Sequence, residues 1–203
     1  MIAPGSKVYL ASRSPRRREL LKQIGVAFEL LVVREVPPRG PDVDEAPLAG
    51  ESADEYVRRV SQAKIGVGWE RVVQRRLPKH PVLAADTAVC VDAEILGKPA
   101  SRAEAARMLR LLSGREHLVI TAVALKSGSG DAIAVNESRV RFRELSDADI
   151  NAYVGSGEPM DKAGAYAIQG RAAAFISELR GSYSGVMGLP LYETAMLIDR
   201  VAK

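Results

Sequence analysis

The sequence predicts one α/β domain with a cleft, and three observations lead there. Short apolar runs bounded by turn residues alternate with segments of helical periodicity along the whole chain. Three of the helical segments open on a Ser followed three residues later by Glu or Asp, the pattern of a capped N-terminus. The 203 residues, 47% hydrophobic and 27% charged, hold enough apolar side chain for a core and show no repeat or linker that would divide it.

The elements follow in order. Residues 7–11 read as a short buried strand, then comes the polar turn Ser12-Arg13-Ser14. Ser14 suits an N-cap and Pro15 the first residue of a helix that turns Leu20, Leu21 and Ile24 inward and stops at Gly25. Residues 26–33 form an apolar strand. From 34 to 50, four prolines and several acids make a long irregular loop, a length that is often functional. Ser52 and Glu55 open a long helix, followed by a strand at 82–85 and a hairpin of 88–92 with 94–97. Ser101 and Glu104 open a helix with Ala105, Met108, Leu109 and Leu112 on one face, ending at Gly114. Two long strands, 117–126 and 132–145, join through a Ser/Gly turn, and Ser146 with Asp149 opens the next helix. A Gly-rich stretch, a strand at 174–179 and a last helix begun by Pro190 complete the chain.

Composition narrows the classes. Cys90 is the one cysteine, so no intramolecular disulfide forms and a reducing compartment is expected. Residues 1–7 carry no apolar leader and no segment is long enough to span a bilayer, so a soluble, cytoplasmic protein without a membrane partner is expected. Lys+Arg 29 against Asp+Glu 25 gives +4, a mild excess that suits an anion. Aromatics at 5% are not interleaved with basic residues as a nucleic-acid stacking surface requires, which favours a small anion over a polymer.

The chemistry concentrates in a few places. In Ser12-Arg13-Ser14-Pro15-Arg16-Arg17-Arg18 a strand runs into a helix whose free N–H groups and arginines would cradle phosphate. Such arginines face the unfavourable end of the helix dipole, so a nearby anion would relieve them. No Walker-type phosphate loop exists in the chain. On the helix after Ser52, Lys64 falls on the stripe marked by Val57, Val60 and Val67. A lysine so placed ordinarily snorkels to the surface; the alternative is that it lines a cleft and meets carboxylates or phosphates. Ala84-Ala85-Asp86-Thr87 ends an apolar strand on an acid, a common place for a metal ligand or general base. With Asp42, Asp44 and Glu45 in the preceding loop and Lys98 in Gly97-Lys98-Pro99, hard oxygens and lysines together suit magnesium on phosphate oxygens. His80 and His117 have no metal-ligand spacing and read as structural, as does Cys90. Arg139, Arg141 and Arg143 alternate along one strand as a solvated basic face that could also meet a partner subunit.

Together these blocks resemble the Maf family of nucleotide pyrophosphatases. The matching pieces run in the family's order, from Leu10-Ala11-Ser12-Arg13-Ser14-Pro15-Arg16-Arg17 through Asp44-Glu45, Ala63-Lys64, Ala85-Asp86-Thr87, Gly97-Lys98-Pro99 and Ser113-Gly114. They continue with Asp161-Lys162-Ala163-Gly164-Ala165-Tyr166, Ile168-Gln169-Gly170 and Gly188-Leu189-Pro190, so nearly the whole chain is covered. The resemblance implies a twisted mixed sheet with flanking helices, similar to inosine triphosphate pyrophosphatases, in which two lobes flank a nucleotide cleft. It also implies a homodimer and a divalent cation, Mg2+ or Mn2+. Position by position, Asp86 matches the family's catalytic acid, and Glu45, Lys64 and Lys98 match its cleft residues, with Glu45 and Asp86 on the metal. Ser12 and Arg17 match phosphate-side residues. Arg16, Thr87 and Gln169 resemble the branch acting on dTTP and UTP, whose bases offer an N3–H donor beside a carbonyl that one amide can answer. Gly185, Ala167 and Ile65 depart from frequent residues of the family. The family's link to septum formation supplies an alternative, a regulatory or binding role in cell division.

Overall fold

A computed structural model of the chain describes residues 6–31, 42–92 and 94–201. The end of the strand expected at 26–33, the first part of the loop at 34–50 and most of residues 1–7 lie outside that range.

The first strand, β1 (Lys7–Leu10), leads into helix α1 (Pro15–Gln23), which returns the chain to β2 (Ala27–Leu30) parallel to β1. After the long helix α2 (Ala53–Gln74), β3 (Val82–Val91) takes the other side of β1, again in parallel. A short β4 (Glu94–Leu96) turns back onto the far end of β3, and α3 (Arg102–Leu112) follows. From there the sheet is antiparallel. β5 (Glu116–Ser127) pairs with β3, β6 (Gly130–Phe142) with β5, and β7 (Ile176–Arg180) with β6, after α4 (Asp147–Gly155). A one-turn helix, α5 (Tyr183–Met187), and α6 (Leu191–Val201) close the described chain. The result is a mixed seven-stranded sheet in the order β2-β1-β3-β5-β6-β7, with β4 also on β3. Among the described residues no helix is long and apolar enough to cross a membrane.

Side-chain alternation decides what each face buries. Ala84 and Ala88 of β3, with Ile120, Ala122 and Ala124 of β5, pack beneath Val57, Val60 and Ile65 of α2. Their neighbours of opposite parity, Leu83, Ala85, Val123 and Leu125, pack beneath Leu20 and Leu21 of α1 and Leu197 and Ile198 of α6. The far ends of the same two strands, at Val89, Val91 and Val119, enter a separate core with α3, α4 and Phe142. Two lobes result, and β3 and β5 run through both.

The caps form as the local sequence dictates. Ser52 with Glu55, and Ser146 with Asp149, make reciprocal capping boxes. Ser101 caps α3, but the Glu104 carboxylate reaches back to the Ala100 N–H at 2.6 Å rather than to Ser101. Two expectations are corrected. The strand at 174–179 begins at Ile176, because Arg171–Phe175 turns as a 3-10 helix. The strand at 82–85 and the first arm of the hairpin are one strand, so Asp86 stands in the middle of β3 and not at its tip. The reason is the partner: β5 pairs with every residue from Val82 to Cys90, which carries β3 straight past the acid.

On its other edge β3 is treated differently. β1 stops at Leu10 opposite Leu83, and β4 covers only Val89 to Val91, its last residue Leu96 lying opposite Val89. From Ala84 to Ala88 that edge has no strand partner among the described residues. The chain leaves β1 here for the Ser12-Arg13-Ser14 turn, and the cleft between the lobes opens at this gap.

Candidate active site

The parity that sorts the core also sorts the site. Asp86 shares the face of Ala84 and Ala88 and points toward α2, whereas Thr87 shares the face of Leu83 and Ala85 and points toward α1. On the first side Lys64 does not snorkel. It is 8% exposed, and its Nζ donates to Asp86 Oδ1 at 2.7 Å and lies 2.8 Å from Glu45 Oε1. One ammonium therefore bridges two carboxylates that would otherwise repel. Burial works to raise the Glu45 carboxyl, but the Lys64 charge and hydrogen bond, with Lys98 and Arg17 behind them, hold it below its ordinary value.

Of the three loop acids only Glu45 reaches this point, which corrects the expected cluster. Asp42 is taken by Arg71 of α2, and Asp44 accepts the Ala46 N–H at 2.9 Å in a local turn. The loop itself is fastened to α2: Tyr56 donates its hydroxyl to the Glu45 carbonyl at 3.0 Å, and Arg59 donates to the carbonyls of Asp44 and Ala46.

On the second side Arg17 reaches inward from α1. Its Nε donates to the Gly188 carbonyl at 2.7 Å, and its outer nitrogens reach Ser12 Oγ at 3.3 Å and Thr87 Oγ1 at 3.4 Å. Thr87 and Thr121 hydroxyls lie 2.9 Å apart, and Thr121 also lies 2.8 Å from the Gly185 carbonyl. A carbonyl only accepts, so the Thr121 proton goes to Gly185 and Thr87 donates to Thr121. Arg17, Thr87 and Thr121 form one directed chain that fixes the arginine. Arg16, next along α1, is half-buried, and its Nε is buried without a hydrogen-bond partner among the described residues. A buried guanidinium N–H with no acceptor is costly to leave so and points to an anion that would complete it.

Lys98 stands exposed at the rim after β4, and Gln169 is exposed in the turn after Ile168, its amide making no hydrogen bond among the described residues. Val89, Ile95, Val119, Tyr166 and Met187 form an apolar wall between these polar groups. The cleft is about 470 Å³, within the range of small-ligand sites, and Ser12, Arg16, Arg17, Glu45, Lys64, Asp86, Thr87, Lys98 and Gln169 line it, while Asp42 and Asp44 do not. Sequence reading missed Thr121, Tyr56 and Arg59, and it gave Asp161 no role beyond its place in a matching block. Thr121 had a signal, a lone hydroxyl inside an apolar strand. Asp161, also on the cleft, is held below the ordinary carboxyl range against burial by Lys162 and by the Arg16 charge.

The remaining candidates are placed elsewhere. His117 is buried against Phe142 and Tyr166, its Nε2 2.8 Å from the Tyr166 hydroxyl, and His80 leans on Tyr9. Cys90 packs on the core beneath α2. Arg139, Arg141 and Arg143 pair with Glu116, Glu178 and Asp149 on an exposed sheet surface. Gly185 has a steric reason in this chain: a Cβ there would stand 2.5 Å from Asn136 Oδ1.

Fold and cleft thus define a mixed α/β protein in which a strand-edge gap is lined with cations on both faces, over a pair of carboxylates and beside an apolar wall. Its family is also clear. The profile described as "Maf-like protein" matches residues 7–201. The dTTP/UTP pyrophosphatase of Nitrosomonas europaea is 54% identical over 200 residues, covering 98% of this chain and 97% of that one. That of Aromatoleum aromaticum is 56% identical over 196 residues, covering 96% and 95%. That of Ralstonia nicotianae is 53% identical over 201 residues, covering 98% and 96%. Among solved structures, the Ham1 protein of Staphylococcus aureus aligns with a TM-score of 0.40 and 15% identity over 67% of this chain and 71% of that one. The chain belongs to the Maf-like protein family.

Proposed function

We propose that this chain is a nucleoside triphosphate pyrophosphatase that converts dTTP and UTP to the monophosphate and pyrophosphate. The observation that carries the reading is Lys64 bridging Glu45 and Asp86 at the floor of a cleft walled by Arg16, Arg17 and Lys98. More than half of the residues are identical to those of full-length dTTP/UTP pyrophosphatases, which supports the same assignment.

The cations give the triphosphate its seat. Arg17, already oriented by Gly188, Ser12 and Thr87, needs little reorganisation to meet an oxyanion, and the Arg16 N–H gains an acceptor. Asp86 takes the proton of a water whose oxygen bonds to the α-phosphorus. The bond from that phosphorus to the bridging oxygen breaks, and pyrophosphate leaves with the electron pair, its charge met by Lys64, Lys98 and the arginines. Glu45 and Asp86 are hard oxygen donors side by side at the floor of the cleft, and they would hold Mg2+ or Mn2+ there. Such an ion, when bound, supplies charge neutralisation at the phosphates. Gln169, at the rim of the apolar wall, reads the base: its oxygen accepts from N3–H and its amide donates to the neighbouring carbonyl.

The test is a panel of pyrimidine and purine triphosphates with Mg2+ or Mn2+, run on the wild type and on Gln169→Glu. The wild type should release pyrophosphate and monophosphate, fastest from dTTP and UTP. Orthophosphate and a diphosphate as products would overturn the assignment. The variant sets a carboxylate against a carbonyl, so its kcat/KM for dTTP and UTP should fall roughly ten- to a hundred-fold relative to guanine nucleotides. An unchanged ratio would remove Gln169 from base recognition.

A further inference from the structure

Three successive backbone carbonyls, of Asp44, Glu45 and Ala46, are each held by a side chain of α2. Arg59 donates to Asp44 O at 3.2 Å and to Ala46 O at 2.9 Å, and Tyr56 donates to Glu45 O at 3.0 Å. The other edge of the Arg59 fork grips Glu51, with Nε at 2.5 Å and Nη2 at 2.8 Å, and Glu51 in turn accepts the Leu48 N–H at 2.9 Å. The guanidinium lies 5.6 Å from the Tyr56 ring centroid, so the two side chains, one turn apart on α2, act as a unit. Between Asp42 and Glu51, among the described residues, the loop has one backbone–backbone hydrogen bond, Glu51 N–H to Leu48 O. Its register is therefore imposed by α2, the same helix that presents Lys64 to the Glu45 carboxylate.

We propose that Arg59 and Tyr56 are positioning residues that set the Glu45 carboxylate against Lys64 and Asp86, and so govern turnover through the loop carbonyls they hold, Arg59 from outside the cleft lining and Tyr56 from its wall. The proposal rests on the reading of Glu45 as part of the reacting centre. A planar fork suits the task because it makes four separate N–H contacts, to two carbonyls and both oxygens of a carboxylate, where a lysine has three donors on one atom and an amide two.

The experiment compares Arg59→Met, Tyr56→Phe, Glu45→Gln and the double variant Arg59→Met/Glu45→Gln, measuring kcat, KM for UTP and the thermal midpoint. Arg59→Met should lower kcat roughly ten- to a hundred-fold, the loss expected when a reacting group is displaced by about an ångström. Tyr56→Phe, which removes one oxygen, should lower it roughly three- to ten-fold. KM should stay near that of the wild type, because the groups placed on the nucleotide are untouched. In the Glu45→Gln background Arg59→Met should cost nothing further, since its effect passes through Glu45. A loss that multiplies in both backgrounds would make Arg59 merely structural and overturn the proposal. Normal kcat in both Arg59→Met and Tyr56→Phe, with Glu45→Gln impaired, would overturn it and leave the reading of the site standing. Normal kcat in Glu45→Gln would instead overturn the role of Glu45, and this inference with it. Should Arg59→Met fail to fold, Tyr56→Phe and its pairing with Glu45→Gln decide the matter.

Discussion

Lys64 carries one positive charge between two carboxylates, and that arrangement sets what its loss would do. Methionine fills nearly the same space and suits the apolar stripe, so packing alone predicts a tolerated change. Electrostatics reverses the sign. Without the ammonium, Asp86 and Glu45 face each other as like charges, with Asp86 only 6% exposed. Removing one partner of a buried ion pair leaves the other uncompensated, so Lys64→Met should lose about 2–4 kcal/mol at pH 7 as well as activity. Lys64→Met/Asp86→Asn, which removes one of the two like charges, should recover much of the loss. Urea unfolding of both variants at pH 7 checks this. A Lys64→Met protein as stable as the wild type at pH 7 would mean that the carboxylates relax apart and the bridge contributes little.

At the scale of elements, the segment from Lys162 to Tyr166 is fitted under β3 with no room to spare. Gly164 has φ near +66°, donates its N–H to Gly97 O at 3.1 Å, and a Cβ there would come within 2.8 Å of the Val89 side chain. Gly164→Ala combines a left-handed backbone with overpacking and should cost about 2–4 kcal/mol. Adding Val89→Ala should return the packing share and not the backbone share. An unchanged thermal midpoint in Gly164→Ala would contradict this packing. How much of such detail the sequence discloses depends on how local its cause is. The caps at Ser14, Ser52 and Ser146 were legible because the partner sits three residues away. Asp86, Lys64 and Glu45 were legible as candidates, and strand parity with Ala84 and Ala88 would have aimed Asp86 at α2. Which loop acid enters the site was not, since it depends on Arg71 capturing Asp42 from 29 residues away. The continuity of β3 was hidden for the same reason: an aspartate reads as a strand end until β5 is known to lie alongside. Arg59 gave no sign of its part, because on a helix it looks like any solvated arginine.

For the molecule as a whole, pH should act first through His117. Burial pushes this imidazole from the usual 6.5 down to about 4, so the folded chain keeps it neutral while the unfolded chain takes up a proton. The contribution is fully present above pH 6.5 and is lost as pH falls through the window down to about 4. Between pH 7 and pH 5 it amounts to about 2 kcal/mol. His117→Gln, whose amide can still meet the Tyr166 hydroxyl, should flatten the urea midpoint over that interval. A variant with the wild-type pH slope would assign the effect to other groups. One further consequence follows from β3 and β5 passing unbroken through both lobes. A cleft between two bodies joined by a flexible linker works as a jaw, and selects by closing. Here the two sides are mounted on a single twisted ribbon, so their spacing is a property of the sheet's stiffness. The cleft should then act as a fixed gauge, and discrimination between nucleotides should show chiefly in how fast productive complexes form.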